Sequence, residues 1–192
     1  MDSERWVAVV GAGAGLVGAA VGGACAILSA RVTALRGAQA AKEQWHRQSR
    51  RDAYAKLILV AQDILEDIFR VRRTALHGEL TREHASETYT HLTERMTEVR
   101  AAKIAVEIAG PEGLDRFTGP VLINLLRAVE GLHPEALVLD DGRLSPSERF
   151  EGGFAQAGFA ISDLTWCARE ILNTEDITDA SNLRPPFHDY TR

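Results

Sequence analysis

The feature that most constrains this chain is a run of 25 residues, Trp6 to Ala30, with no charged side chain, bounded by Arg5 and Arg31. As a helix rising about 1.5 Å per residue it covers about 37 Å. That is enough to cross a hydrocarbon core roughly 30 Å thick with some tilt. Eight of its residues are Val, Leu or Ile, and fourteen are Ala or Gly. Insertion is therefore favoured by only roughly 2–5 kcal/mol before the glycines are counted. The pattern predicts a transmembrane helix over residues 6–30 behind a stub of residues 1–5.

Two other readings compete for the same segment. A cleaved signal peptide needs a basic start and a short apolar core. Here Asp2 and Glu4 cancel Arg5 and the amino group, and the apolar run is too long. A dinucleotide site is suggested by Gly13-x-Gly15-x-x-Gly18 after Val7-Ala8-Val9-Val10. That fingerprint needs a following strand ending in an acid about 20 residues on. Residues 31–41 contain no acid, and a long polar helical pattern follows.

Small residues recur every four positions along the span, at Gly11, Gly15, Ala19 and Gly23, and again at Ala14, Gly18 and Gly22. Such spacing lets two helix backbones approach closely in lipid. Gly11, Gly15, Gly18 and Gly22 are accordingly candidate packing positions for a homo-oligomer. Chance spacing in an Ala/Gly-rich span is the simpler alternative.

Flanking charge sets the orientation. Residues 31–51 carry Arg31, Arg36, Lys42, Arg47, Arg50 and Arg51 against the single acid Glu43. The positive-inside rule then leaves the amino terminus outside and the carboxyl-terminal domain in the cytoplasm of an inner-membrane protein. Residues 31–56, the basic juxtamembrane part of the first long helix, hold seven basic and two acidic residues, whereas residues 57–192 hold 14 basic and 23 acidic. A basic collar attracts anionic headgroups only within about a Debye length. On a straight helix, Arg31 and Arg36 meet lipid, while Arg47, Arg50 and Arg51 remain for an acidic partner or the acidic body of a second copy. The plainer role of the collar is to set topology. The overall charge of −5 argues against nucleic-acid binding. Two cysteines, Cys25 and Cys167, cannot build a disulfide scaffold.

From residue 38 the periodicity is helical. Trp45, Tyr54, Leu57, Ile58, Ala61, Ile64, Leu65, Ile68 and Phe69 form one apolar stripe on a helix over about 38–77, with Gly78 as its stop. Thr81 caps a second helix with Glu83 in its first turn, and Tyr89, Leu92, Met96, Val99, Val106 and Ile108 as its stripe. Gly110-Pro111 ends it and opens a third helix to about Gly131, kinked or split at Gly119-Pro120. Residues 133–145 read as a loop. Ser145-Pro146-Ser147-Glu148 places a capping serine, a first-turn proline and a Glu at the third position of a fourth helix running to about Asn173. Along it Phe154, Ile161, Leu164, Ile171 and Leu172 face inward, and Gly152, Gly153 and Gly158 weaken its start or admit a close neighbour. No segment alternates as a strand. Residues 174–192 read as a tail ordered only by docking. The expected fold is all-α: an N-terminal transmembrane helix followed by an antiparallel four-helix bundle over residues 38–173.

Gln44-Trp45-His46-Arg47-Gln48-Ser49-Arg50-Arg51-Asp52-Ala53-Tyr54 after a Gly-rich span, with Val106-Glu107-Ile108-Ala109-Gly110-Pro111-Glu112 as an interhelical turn, resembles a group of uncharacterised actinobacterial proteins. The resemblance covers most of residues 6–172. It implies a membrane helix, a helical bundle and an actinobacterial source, and carries no activity with it.

The candidate chemistry is sparse. His84, Glu87, His91 and Glu94 share one helix face and are of ligand type for zinc or iron. Glu43-x-x-His46 has the spacing of di-iron ligand helices, but those bundles need two such motifs and two more carboxylates. A solvated face explains both more simply. Cys167 beside Trp166 reads as core, and Asp63, Glu66 and Asp67 as an exposed helix side. The sequence therefore predicts no catalytic residues, no cofactor and no bound metal. It predicts a membrane-anchored scaffold, adaptor or regulator that contacts lipid through residues 6–30 and an unidentified cytoplasmic protein. A bilayer-perturbing effector of stress or phage defence is the alternative, and a metal- or dinucleotide-dependent enzyme is a third.

Overall fold

A computed structural model describes residues 3–140, 143–145, 147–174, 177 and 179–184, with the side chains of 3–29, 32, 138–140 and 143 left aside. The chain divides into two units, Met1–His46 and Arg47–Arg192. Four helices account for nearly all of it: α1 (Ser3–Leu76), α2 (Arg82–Ala109), α3 (Asp115–Glu130) and α4 (Glu148–Asn173). The first unit is the leading part of α1. Every described side chain from Ala30 to His46 in it is exposed to solvent.

The second unit is a helical bundle. In α1 the buried positions are Tyr54, Leu57, Ala61, Ile64, Ile68, Val71 and Ala75. Their steps alternate between three and four, which is the seven-residue repeat of helices packed at a small angle. In α2 the buried set is Ala85, Leu92, Met96, Val99, Ala102 and Val106. Contacts between helices fix their directions. Arg50 Nε donates to the Ala109 carbonyl at 2.8 Å and Arg95 pairs with Asp67, so α2 runs antiparallel to α1. Phe69 stacks on Phe154, and Arg72 pairs with Glu151, so α4 is antiparallel to α1. Glu107 meets Thr118 near one end and Tyr89 meets His133 near the other, so α3 opposes α2. The bundle is up-down-up-down.

The backbones of α3 and α4 approach closely. A Cβ on Gly131 would lie 2.6 Å from the Phe150 nitrogen, and one on Gly153 would lie 2.5 Å from the Ala128 nitrogen. Of the three glycines in the early part of α4, Gly153 therefore admits the neighbour. A Cβ on Gly152 would meet nothing within 4 Å.

Local signals placed several boundaries correctly. The Thr81 hydroxyl accepts the His84 N–H at 3.1 Å. Gly78, at φ 72, follows the end of α1, and the Gly110 N–H bonds the Val106 carbonyl at 2.8 Å at the end of α2.

Other expectations are corrected. Trp45 is 65% exposed and lies in the first unit, outside the bundle core. Ile108 is 81% exposed, because the stripe of α2 faces inward through Val106. α3 begins at Asp115 rather than Pro111, after a turn through Gly113 at φ 77. It continues through Pro120 as one helix, not two. Pro120 sits in its second turn, so a single early hydrogen bond is lost. The α4 cap is Ser147, whose carbonyl accepts the Phe150 N–H at 2.9 Å. Ser145 instead ends a strand. Residues 133–145 are not all loop: β1 (Val138–Asp140) pairs antiparallel with β2 (Arg143–Ser145), Leu139 opposite Leu144. Three-residue strands are too short for alternation to register in sequence. Part of the tail is docked: Asp179 bridges to Glu112, and Ala180 is fully buried.

Among the described residues, no helix is long and apolar enough to cross a membrane. The expected span falls on this part of α1, and the side chains of residues 6–29, with the packing positions Gly11, Gly15, Gly18 and Gly22, lie outside what the structure describes.

Candidate functional site

Three places in the molecule gather chemistry-bearing side chains. The first is the basic stretch of α1. Arg31, Arg36, Lys42, Arg47 and Arg51 are exposed. Arg50 is half-buried, and its guanidinium serves the bundle by holding the Ala109 carbonyl near the carboxyl end of α2. A cation there also complements the helix dipole. Arg50 therefore has a partner within the bundle. Within the first unit Leu35 and Trp45 are exposed, as are Arg31, Arg36 and Lys42, and the Trp45 ring is edge-on to His46 at 5.0 Å. Glu43 and His46 are both exposed.

The second is a depression of about 330 Å³ between α1 and α2, lined by Asp67, Arg70, Val71, His84, Glu87, Thr88 and His91. It brings together three of the four residues of the histidine stripe, while Glu94 is not in its lining. Among the described residues, no group of three His, Cys, Asp or Glu side chains is arranged to hold a metal ion. The acids of α1 in this region are held by arginines. Arg95 reaches Asp67 at 2.8 Å and Asp63 at 3.6 Å, and Arg70 reaches Asp67 at 3.0 Å and Glu66 at 3.6 Å. These contacts tie α2 to α1 and stabilise the surface of α1.

The third is the opposite end of the bundle, where Tyr54 and Cys167 are both buried. Burial pushes the Cys167 thiol up to about 12, and the nearby Arg116 guanidinium offsets this only in part. Burial also raises the Tyr54 hydroxyl far above its ordinary value, reinforced by Cys167 and opposed by Arg50. Burial thus favours the protonated form of both groups, the setting of a thiol packed in a core. Among the described residues the Tyr54 hydroxyl has no hydrogen-bond partner, and it lies 2.8 Å from where a Gly110 Cβ would stand.

A polar bridge between α2 and α3 escaped the sequence reading. Thr118, 1% exposed, donates to Glu107 Oε1 at 3.0 Å, and Lys103 caps the same oxygen. The i, i+4 spacing of Lys103 and Glu107 is a sequence signal, but Thr118 comes from another helix.

No protein-family model, curated protein or solved structure matches the chain.

Proposed function

We propose that this chain is a single-pass inner-membrane protein, anchored by residues 6–30. Its helical bundle lies in the cytoplasm and acts as a scaffold, adaptor or regulator through protein–protein contacts, without catalysis. The observation that carries the reading is the junction at Ala30–Arg31. An uncharged run long enough to span a bilayer gives way there to exposed Arg31, Arg36, Lys42, Arg47 and Arg51 on one helix. Arg31 and Arg36 are placed for anionic headgroups, and the others for an acidic protein surface. The resemblance to actinobacterial proteins with a membrane helix and a helical domain points the same way. The test is fractionation of cells expressing a carboxyl-terminally tagged chain, with external protease. Full-length protein in the membrane pellet with a protected tag is expected. Full-length soluble protein would overturn the anchor, and a shortened exported form would overturn the orientation.

A second reading rests on the four-residue recurrence of Gly11, Gly15, Ala19 and Gly23. In it the anchor oligomerises and perturbs the bilayer as a stress or defence effector. Loss of membrane potential on overexpression, abolished by Gly15→Leu with Gly18→Leu, is the result that distinguishes it.

A further inference from the structure

One end of the bundle is closed by a piece of chain that belongs to none of its helices. The turn between α2 and α3 presents Glu112, Gly113 and, one turn on, Arg116. Against it lie Ile177 and residues 179–184, which contain the 3-10 turn Ala180–Asn182. The Ala180 N–H donates to the Glu112 carbonyl at 2.7 Å, and Glu112 and Asp179 form a parallel bridge. The Arg116 guanidinium donates to the Ser181 carbonyl. Ala180 is fully buried, and Ile177 and Leu183 pack partly buried against the core.

Each side of this contact is shaped for the other. Gly113 has φ 77, and a Cβ there would lie 2.8 Å from the Ser181 nitrogen. Only glycine accommodates both the backbone conformation and the approach. The segment meanwhile holds its own shape. The Asp179 carboxylate accepts the Ser181 N–H at 2.8 Å and its hydroxyl at 2.6 Å. An element that is organised by itself and held only by its bridge and hydrogen bond to Glu112, one arginine, the buried Ala180 and the partly buried Ile177 and Leu183 belongs to the low-stability end of a fold. Preorganisation lowers the cost of docking it again.

We propose that residues 177–184 are a releasable strap, and that the groove formed by Glu112, Gly113 and Arg116 receives the same segment from a second copy of this chain. The segment's own fit in the groove identifies the occupant. Docked in cis, it keeps copies apart. Released, it reaches a neighbour, and two copies exchange straps about a two-fold axis. The five residues 174–178 between α4 and Asp179 span at most about 17 Å, so exchange requires copies held side by side. The strap does not depend on whether residues 6–30 enter a bilayer.

The test is a fluorescently labelled peptide of residues 177–184, titrated into the full chain and followed by anisotropy. Ala180→Asp places a charge at the buried alanine and ejects the strap while leaving the groove intact. Leu183→Asp does the same at a second point. The peptide is expected to bind both variants at least tenfold more tightly than the wild-type chain, whose groove is occupied. Adding Arg116→Ala to either variant should weaken binding by about tenfold. Equal binding to wild type and variants would overturn the proposal, as would no binding to a variant that keeps its helical circular dichroism. A bundle that melts in both variants would also overturn it, because a strap whose loss unfolds the domain is not releasable.

Discussion

The backbone of Gly153 in α4 lies against the backbone of Ala128 in α3, so close that a Cβ at 153 would stand 2.5 Å from the Ala128 nitrogen. Its neighbour Gly152 faces open space. Gly153→Val should therefore force the helices apart and destabilise the bundle by about 1–3 kcal/mol. Gly152→Ala should stabilise it by about 0.5–1 kcal/mol through helix propensity alone. Urea unfolding of the two variants measures the contrast, and equal effects would mean that α3 and α4 are not in backbone contact.

Arg95 is the principal charged tie between α2 and α1, reaching both Asp67 and Asp63. Arg95→Met retains the stem but leaves Asp67, whose side chain is only 16% exposed, with Arg70 alone. A loss of roughly 1–2 kcal/mol is expected. Removing Glu66, which is 68% exposed, should change stability by less than about 0.5 kcal/mol. Thermal melts of both variants at low and high salt would check the ranking.

Alkaline unfolding should begin near pH 9. The unfolded thiol of Cys167 ionises around 9.0, while the folded one holds its proton to about 12. The native state therefore binds more protons in that window, and stability falls as pH rises through it. Tyr54 adds a second loss above its ordinary value of 10.0. Each group steepens the decline by up to about 1.4 kcal/mol per pH unit. Cys167→Ala should flatten the decline between pH 9 and 10. A wild-type midpoint that is flat to pH 11 would contradict the burial of both groups.

The histidine stripe should behave as surface. His84 and His91 are exposed. Zinc in tenfold excess is expected to leave the melting midpoint within about a degree of the metal-free value. His91→Ala should shift stability by no more than about 0.5 kcal/mol. A metal-dependent rise lost in His91→Ala would restore the ligand reading.

The strap's electrostatics add a pH effect at the acid end. Hydrogen bonds from the Ser181 side chain and backbone hold the Asp179 carboxyl below its usual 3.8. Their contribution is present above that value and is lost as pH falls through the lowered one. Protection of the Ala180 amide against hydrogen exchange should therefore drop at low pH before that of α4. Simultaneous loss would mean that the strap and the bundle unfold together.

What the sequence by itself determined was whatever is decided within one or two helical turns. The three-four spacing of Tyr54, Leu57, Ala61, Ile64 and Ile68 made α1 amphipathic, and Thr81, Gly78 and Gly110 marked ends through bonds to residues three or four away. Long uncharged and basic stretches were legible for the same reason. The tertiary structure decided everything that depends on a partner distant in the chain. Ser147 rather than Ser145 takes the N-cap position of α4, because Ser145 is drawn into a hairpin strand. Pro111 falls outside α3, in the turn that Asp179 and Ala180 cover from far along the chain. Gly153 and Gly152 are adjacent and chemically identical, and only the arrival of Ala128 makes one of them indispensable. Hydrogen bonding along a helix is local and is written in the order of residues. Close packing is a property of surfaces that meet only once the chain has folded.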